Sequence, residues 1–171
     1  MPEKLYSVQE IMTVFLKAMR VGYAGSAEVT KGICHLPCSR VIDFEDGDFR
    51  VVDFWFVAPD SNYSFGQTIV FHNNLPVWEM SYQGWYSPEA VPFLKSVLRT
   101  VYESGIFFGG RGPSYVSARE PGLCYKNVTE AGSNFISFRG REEVRAMGDG
   151  GGVGDLLGEH SYQGLLLMYK K

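Results

Sequence analysis

Apolar residues at Val8, Ile11, Met12, Phe15, Leu16 and Met19 fall on one stripe at helical period. Ser7 and Glu10 stand at capping-box spacing just ahead of it, and Gly22 supplies a stop that tolerates a left-handed backbone. A second stripe runs through Val91, Leu94, Val97, Leu98, Val101 and Tyr102, with Ser87 placed to cap, Pro88 at the first helical position and Gly105 as the stop. Between the helices the period changes to two. Residues 40–44 and 49–57 are β-prone runs around Asp46-Gly47, a hairpin signal. Residues 65–72 and 77–83 predict two more strands joined by Asn73-Asn74. After the second helix, strand-like runs return near 123–129, 135–138, 142–147 and 160–168. Residues 24–39 read as a loop, and Gly148 to Gly158 as a glycine-rich flexible connection between strands. Helix, strands, helix, strands is an α+β order rather than βαβ alternation.

The two halves echo each other. Both helices end in glycine, Ser61-Asn62-Tyr63 has a counterpart in Ser133-Asn134-Phe135, and Ser81-Tyr82-Gln83-Gly84 recurs verbatim as Ser161-Tyr162-Gln163-Gly164. Ordered agreement of these markers predicts a tandem-duplicated unit of one helix plus antiparallel strands. The two repeats, about 7–86 and 87–169, are expected to fuse into one pseudo-symmetric globule spanning 1–171 as a single domain.

Several segments together carry a family resemblance. They are Phe15-Leu16-Lys17-Ala18, Tyr23-Ala24-Gly25, Asp43 to Asp48, Pro76 to Gly84, Gly110-Arg111-Gly112-Pro113 and Phe138 to Glu142. In that order the chain resembles, from about residue 8 to 166, a bacterial domain family of unknown function. Members of that family also occur C-terminal to an XRE-type helix-turn-helix, the arrangement of a regulator. The resemblance implies a sensory or regulatory setting and names no catalytic residue. This chain departs from it by the absence of a helix-turn-helix and by the glycine-rich insertion.

Composition narrows the classes. Of 171 residues 45% are hydrophobic and 20% charged, which excludes a wholly disordered chain, and no apolar run approaches the length of a membrane span. A net charge of −3 argues against bulk-charge binding of nucleic acid. The start lacks a signal-peptide layout, and three cysteines then read as reduced thiols in a cytoplasmic protein.

Candidate chemistry is sparse. Cys34-His35-Leu36-Pro37-Cys38 lacks a second ligand pair at zinc spacing, so neither metal nor cofactor is expected. Gly109-Gly110-Arg111-Gly112-Pro113 follows a helix, which is the wrong context for a phosphate loop. Arg111 reads either as an anion-binding guanidinium or as a connector paired with an acidic neighbour. Trp78, Met80 and Tyr82 share one strand face, which lines a ligand pocket or packs as core, and Tyr162 repeats Tyr82. One of Glu142 and Glu143 points inward, and a buried carboxylate near Arg111 would be a functional pointer. Asp43 and Asp53 read as solvent-facing hairpin carboxylates. No serine-elbow or zinc-protease motif is present, and His35, His72 and His160 are scattered. The expectation is therefore a non-enzymatic small-ligand-binding or sensory domain for a polar or anionic molecule. Its candidate residues are Arg111, Trp78, Tyr82, Tyr162 and Glu142. The alternatives are a protein–protein interaction module, including a homodimer, and an enzyme with its site in the cleft between repeats.

Overall fold

The computed structural model describes residues 6–25, 30–31 (backbone only), 36–120, 122–148 and 152–167. In chain order these form α1 (Val8–Val21), β1 (Thr30–Lys31), β2 (Ser39–Asp46), β3 (Phe49–Val57), β4 (Tyr63–His72), β5 (Leu75–Tyr86), α2 (Val91–Ser104), β6 (Tyr115–Ala118), β7 (Leu123–Thr129), β8 (Ser137–Met147) and β9 (Val153–Leu166). The strands make one antiparallel sheet in the order β1-β2-β3-β4-β5-β9-β8-β7-β6. The protein is thus a mixed α+β fold.

α1 starts as its residues dictate. The Ser7 hydroxyl accepts from the Glu10 amide at 3.1 Å, and the Glu10 carboxylate accepts from the Ser7 amide at 2.7 Å. Its end differs from expectation: Gly22 sits at φ −76°, outside the left-handed region. What position 22 needs is space, because a Cβ there would stand 2.9 Å from the Ala18 carbonyl and 3.0 Å from Ile42. Gly105, at φ 72°, does end α2 in the left-handed form. α2 itself starts later than its sequence suggests. Ser87 makes no cap; a turn carries the chain to Ala90, and the first helical residues are Val91 and Pro92. The Ser87 hydroxyl is left buried without a hydrogen bond among the described residues.

The strands are longer and more continuous than the runs that announce them. Asn73 and Asn74 both take positive φ in the two-residue β4–β5 turn, where asparagine tolerates that region best after glycine. Residues 137–147 form one strand, not two, with Gly140 inside it. The glycine-rich segment is largely β9: Val153 to Gly158 are already strand, while 149–151 lie outside the described residues. Residues 24–39 contain β1, and Cys34 and His35 lie outside the described residues.

Both helices lay their apolar stripes on one face of the sheet. Trp78, fully buried, is the centre of that core. Phe15 of α1 meets its ring at 4.6 Å between centroids, and Phe135 and Phe138 stack on it at 5.0 and 5.6 Å. Its indole N–H donates to the Phe135 carbonyl at 3.0 Å, so the polar atom of a large buried ring is satisfied. Burying a side chain such as Phe15 contributes about 1.5–3 kcal/mol. Among the described residues no helix covers the opposite face of the sheet.

The sheet's middle strand, β5, pairs with β9. Its register places Tyr82 opposite Tyr162, Ser81 opposite Gln163 and Gln83 opposite Ser161. The recurring Ser-Tyr-Gln-Gly segments therefore lie antiparallel to one another, centred on the two tyrosines. Each tyrosine also faces a glycine on its other neighbour, Gly66 on β4 and Gly140 on β8.

Candidate functional site

Where the end of α1, the start of α2 and the inner face of the sheet come together, the packing leaves a cavity of about 230 Å³. Met19 and Val91 wall it from the helix side, and Tyr23, Trp55, Tyr82 and Tyr86 make it aromatic. Asp53, Arg111, His160 and Ser64 bring the polar atoms.

Asp53 is buried on β3. One carboxylate oxygen, Oδ1, accepts from Thr68 Oγ1 at 2.8 Å and from the Tyr82 hydroxyl at 2.9 Å. Burial raises its pKa above the ordinary value; the hydrogen bonds from Thr68 and Tyr82, and the charge of Arg111, act against that rise. Its other oxygen, Oδ2, makes no hydrogen bond among the described residues. The same burial, reinforced by the charge of Asp53, pushes the Tyr82 phenol well up, so it stays a neutral donor.

Arg111 is held from behind. Its Nε donates to Glu142 Oε1 at 2.7 Å and its Nη2 to the same oxygen. That oxygen also accepts from Tyr86 at 2.8 Å, and Oε2 accepts from Tyr125 at 2.6 Å. Glu142 is fully buried. Burial by itself would raise its carboxyl, but the Arg111 guanidinium outweighs that and holds it below the ordinary value. The loop bearing Arg111 is fixed just as firmly. Gly110 takes φ 72° and has its carbonyl on the Tyr102 hydroxyl at 3.0 Å, while Gly112 donates to Tyr125 Oη at 2.9 Å. Arg111 nevertheless reaches the cavity, its guanidinium carbon 5.8 Å from the centre of the Tyr82 ring. Nη1 carries no hydrogen bond among the described residues.

His160 lies between Tyr82 and Tyr86, 6.0 and 4.6 Å from their ring centres. Burial and the neighbouring Arg111 lower its pKa to about 4, so it is neutral at physiological pH. Its Nε2 is 3.3 Å from Ser64 Oγ, and its Nδ1 is buried with no partner among the described residues. Among the described residues no carboxylate bonds to that imidazole, whereas a hydrolytic triad has one orienting the histidine beside its nucleophile.

Of the residues singled out from sequence, Arg111 and Tyr82 line the cavity. Glu142 stands behind Arg111 as its buried partner, the arrangement that alternation along β8 allowed. Tyr162 points into the same face, but its hydroxyl is spent on Asn127 Oδ1 at 2.5 Å and it does not line the cavity. Trp78 is core and does not line it either.

Sequence reasoning missed Asp53, His160, Ser64, Tyr23 and Tyr86. Asp53 was legible in principle. Val51, Asp53 and Trp55 share one side of β3, and a carboxylate in an apolar row marks an inward-facing charge. His160 carried no such signal, since its role depends on β9 lying beside β5.

No family model, no curated protein and no solved structure matches this chain. No helix among the described residues is long and apolar enough to cross a membrane.

Proposed function

We propose that the protein is a non-enzymatic small-ligand-binding domain whose site is the cavity between the helices and the sheet. The observation that carries this reading is a pocket of about 230 Å³ that opens between the helices and the sheet and is lined by polar atoms left without a partner among the described residues. A concave, largely aromatic pocket with a few convergent polar groups and buried ionisable residues is the setting in which small ligands are usually held. The resemblance to domains fused to regulators supports a sensory use of the binding. The ligand is a small polar molecule. Glu142 neutralises Arg111, so the guanidinium gives the cavity no net positive charge and the anionic option loses its main support.

We also read the fold as a tandem duplication. In support, the two Ser-Tyr-Gln-Gly segments pair about a common centre, each of their tyrosines faces a glycine, and α1 and α2 are both 14 residues long.

A thermal-shift screen of a metabolite library tests the function. A ligand at 100 times its Kd adds about 2.7 kcal/mol, which for a chain of this size corresponds to a rise of roughly 5–10 °C in Tm. A hit should lose its effect in Ser64→Phe, which fills the cavity from the β4 side. A library without hits, or hits indifferent to Ser64→Phe, would overturn the reading.

A protein-interaction module is the second reading, favoured by the sheet face opposite the helices. There Phe56 and Phe65 stack at 4.9 Å, and Tyr63 and Phe65 are exposed beside the partly buried Trp85. Sedimentation velocity of the protein and of Phe65→Glu separates the two readings. A homodimer abolished by the substitution supports the interface.

A further inference from the structure

The two halves of the sheet solve one structural problem with two different side chains. Tyr82 on β5 lies against Gly66 and donates its hydroxyl to Asp53 Oδ1, on the strand beyond. Tyr162 on β9 lies against Gly140 and donates its hydroxyl to Asn127 Oδ1, again on the strand beyond. Asp53 and Asn127 hold the same place in the ladder: each pairs with the residue two along from the glycine, Thr68 and Glu142 respectively. An amide oxygen is therefore enough to receive the tyrosine. At position 127 the amide nitrogen is then spent on the Phe108 and Gly112 carbonyls, at 3.0 and 2.7 Å, and closes the structure. At position 53 the second atom is a carboxylate oxygen with no hydrogen bond among the described residues, on a side chain that lines the cavity. That oxygen is not sealed in the packing but opens onto the pocket, where a bound molecule can donate to it.

The rest of the cavity says what it meets. Arg111 Nη1 is the complementary free donor, and the Tyr82 ring connects the two groups: its hydroxyl is on Asp53 and its face is under Arg111. A cationic ligand would find that face already occupied by a guanidinium. An anionic one would meet Asp53 and an arginine whose charge Glu142 has cancelled. We propose, resting on the small-ligand reading above, that the cavity takes a neutral, flat molecule of the amide or lactam kind. Its N–H donates to Asp53 Oδ2, its carbonyl accepts from Arg111 Nη1, and its ring is flanked by the aromatic wall. Such a ligand satisfies both free groups and brings no charge into a buried site.

Three probes of one size and different charge test this: benzamide, benzoate and benzylamine at pH 7.5, titrated at millimolar concentration with ligand-observed NMR. Benzamide should bind at least tenfold tighter than either of the others. Asp53→Asn keeps an Oδ1 for Thr68 and Tyr82, as Asn127 does for Tyr162, so the variant should fold. It replaces the free acceptor by a donor, and benzamide affinity should fall about tenfold. Preference for benzoate or benzylamine would overturn the ligand class and leave the small-ligand reading standing. Unchanged benzamide affinity in a folded Asp53→Asn would overturn the role of Asp53. If no probe binds while the library still yields hits blocked by Ser64→Phe, the amide class fails alone. If both experiments are blank, the small-ligand reading fails with it.

Discussion

Arg111 and Glu142 form a buried ion pair in which each charge compensates the other. Removing one partner strands an uncompensated charge in the interior, at a cost of about 3–5 kcal/mol. Arg111→Met and Glu142→Gln should each lower the denaturation midpoint by that order. The double variant should cost clearly less than the sum, since neither charge is then left alone. Additive effects in urea unfolding would show that the pair is not coupled. His160 gives a second expectation at this scale. Its folded pKa of about 4 lies below the ordinary 6.5, so between these values the unfolded chain binds a proton that the folded chain does not. Stability therefore falls as pH drops through that window, by about 3 kcal/mol in all. Glu142, held below its ordinary value, adds a loss only nearer pH 4. The limb between pH 6.5 and 5 should thus flatten in His160→Gln. A variant whose stability keeps the same slope there would assign the effect elsewhere.

Glycines in β4 and β8 are what let the tyrosines of β5 and β9 lie down across their neighbours. A Cβ on Gly66 would stand 2.7 Å from the Tyr82 phenol, and one on Gly140 would run into the Tyr162 phenol. Gly140→Ala should therefore destabilise by about 1–3 kcal/mol through overpacking, against the usual gain from replacing glycine in a strand. At Gly152 a Cβ would meet nothing, so Gly152→Ala should stay within about 0.5 kcal/mol. Comparing the two midpoints checks the argument. The same glycine explains where reading the elements from sequence broke down: Gly140 looked like a strand boundary because its reason, a ring from β9, is 22 positions away. Both helices were legible because stripe, cap and stop are local. The hairpins were legible because Gly47, Asn73 and Asn74 mark positive φ within a few residues. The late start of α2 was not, because Ser87 and Pro88 satisfy the local rule while the turn to Ala90 is set by packing. The site was legible only in fragments. Arg111 and Tyr82 announced themselves by type, but the cavity is a product of β9 returning beside β5.

The same return makes the halves depend on each other. β5 is the middle strand of the nine and β9 lies beside it, and separating the chain after Tyr86 would turn each into a bare edge. It would also part Trp78 from Phe135 and Phe138, and Tyr86 from Glu142. Each half would then lose its largest buried ring contacts and expose a long unpaired strand, a template for aggregation. The intact chain should accordingly unfold in one cooperative transition. Fragments 1–86 and 87–171 should show no such transition alone, and an equimolar mixture should regain it. Trp55, Trp78 and Trp85 all belong to the first fragment, so tryptophan emission reports that half while the second stays silent. On mixing, emission should shift to the blue as Phe135 and Phe138 cover Trp78, with a midpoint that rises with concentration as bimolecular assembly requires. A first fragment that unfolds cooperatively by itself would mean that the seam is a contact between two finished domains. If it does so with a concentration-dependent midpoint, it has paired with itself across β5, Tyr82 meeting the Tyr82 of a second copy as it meets Tyr162 in the intact chain.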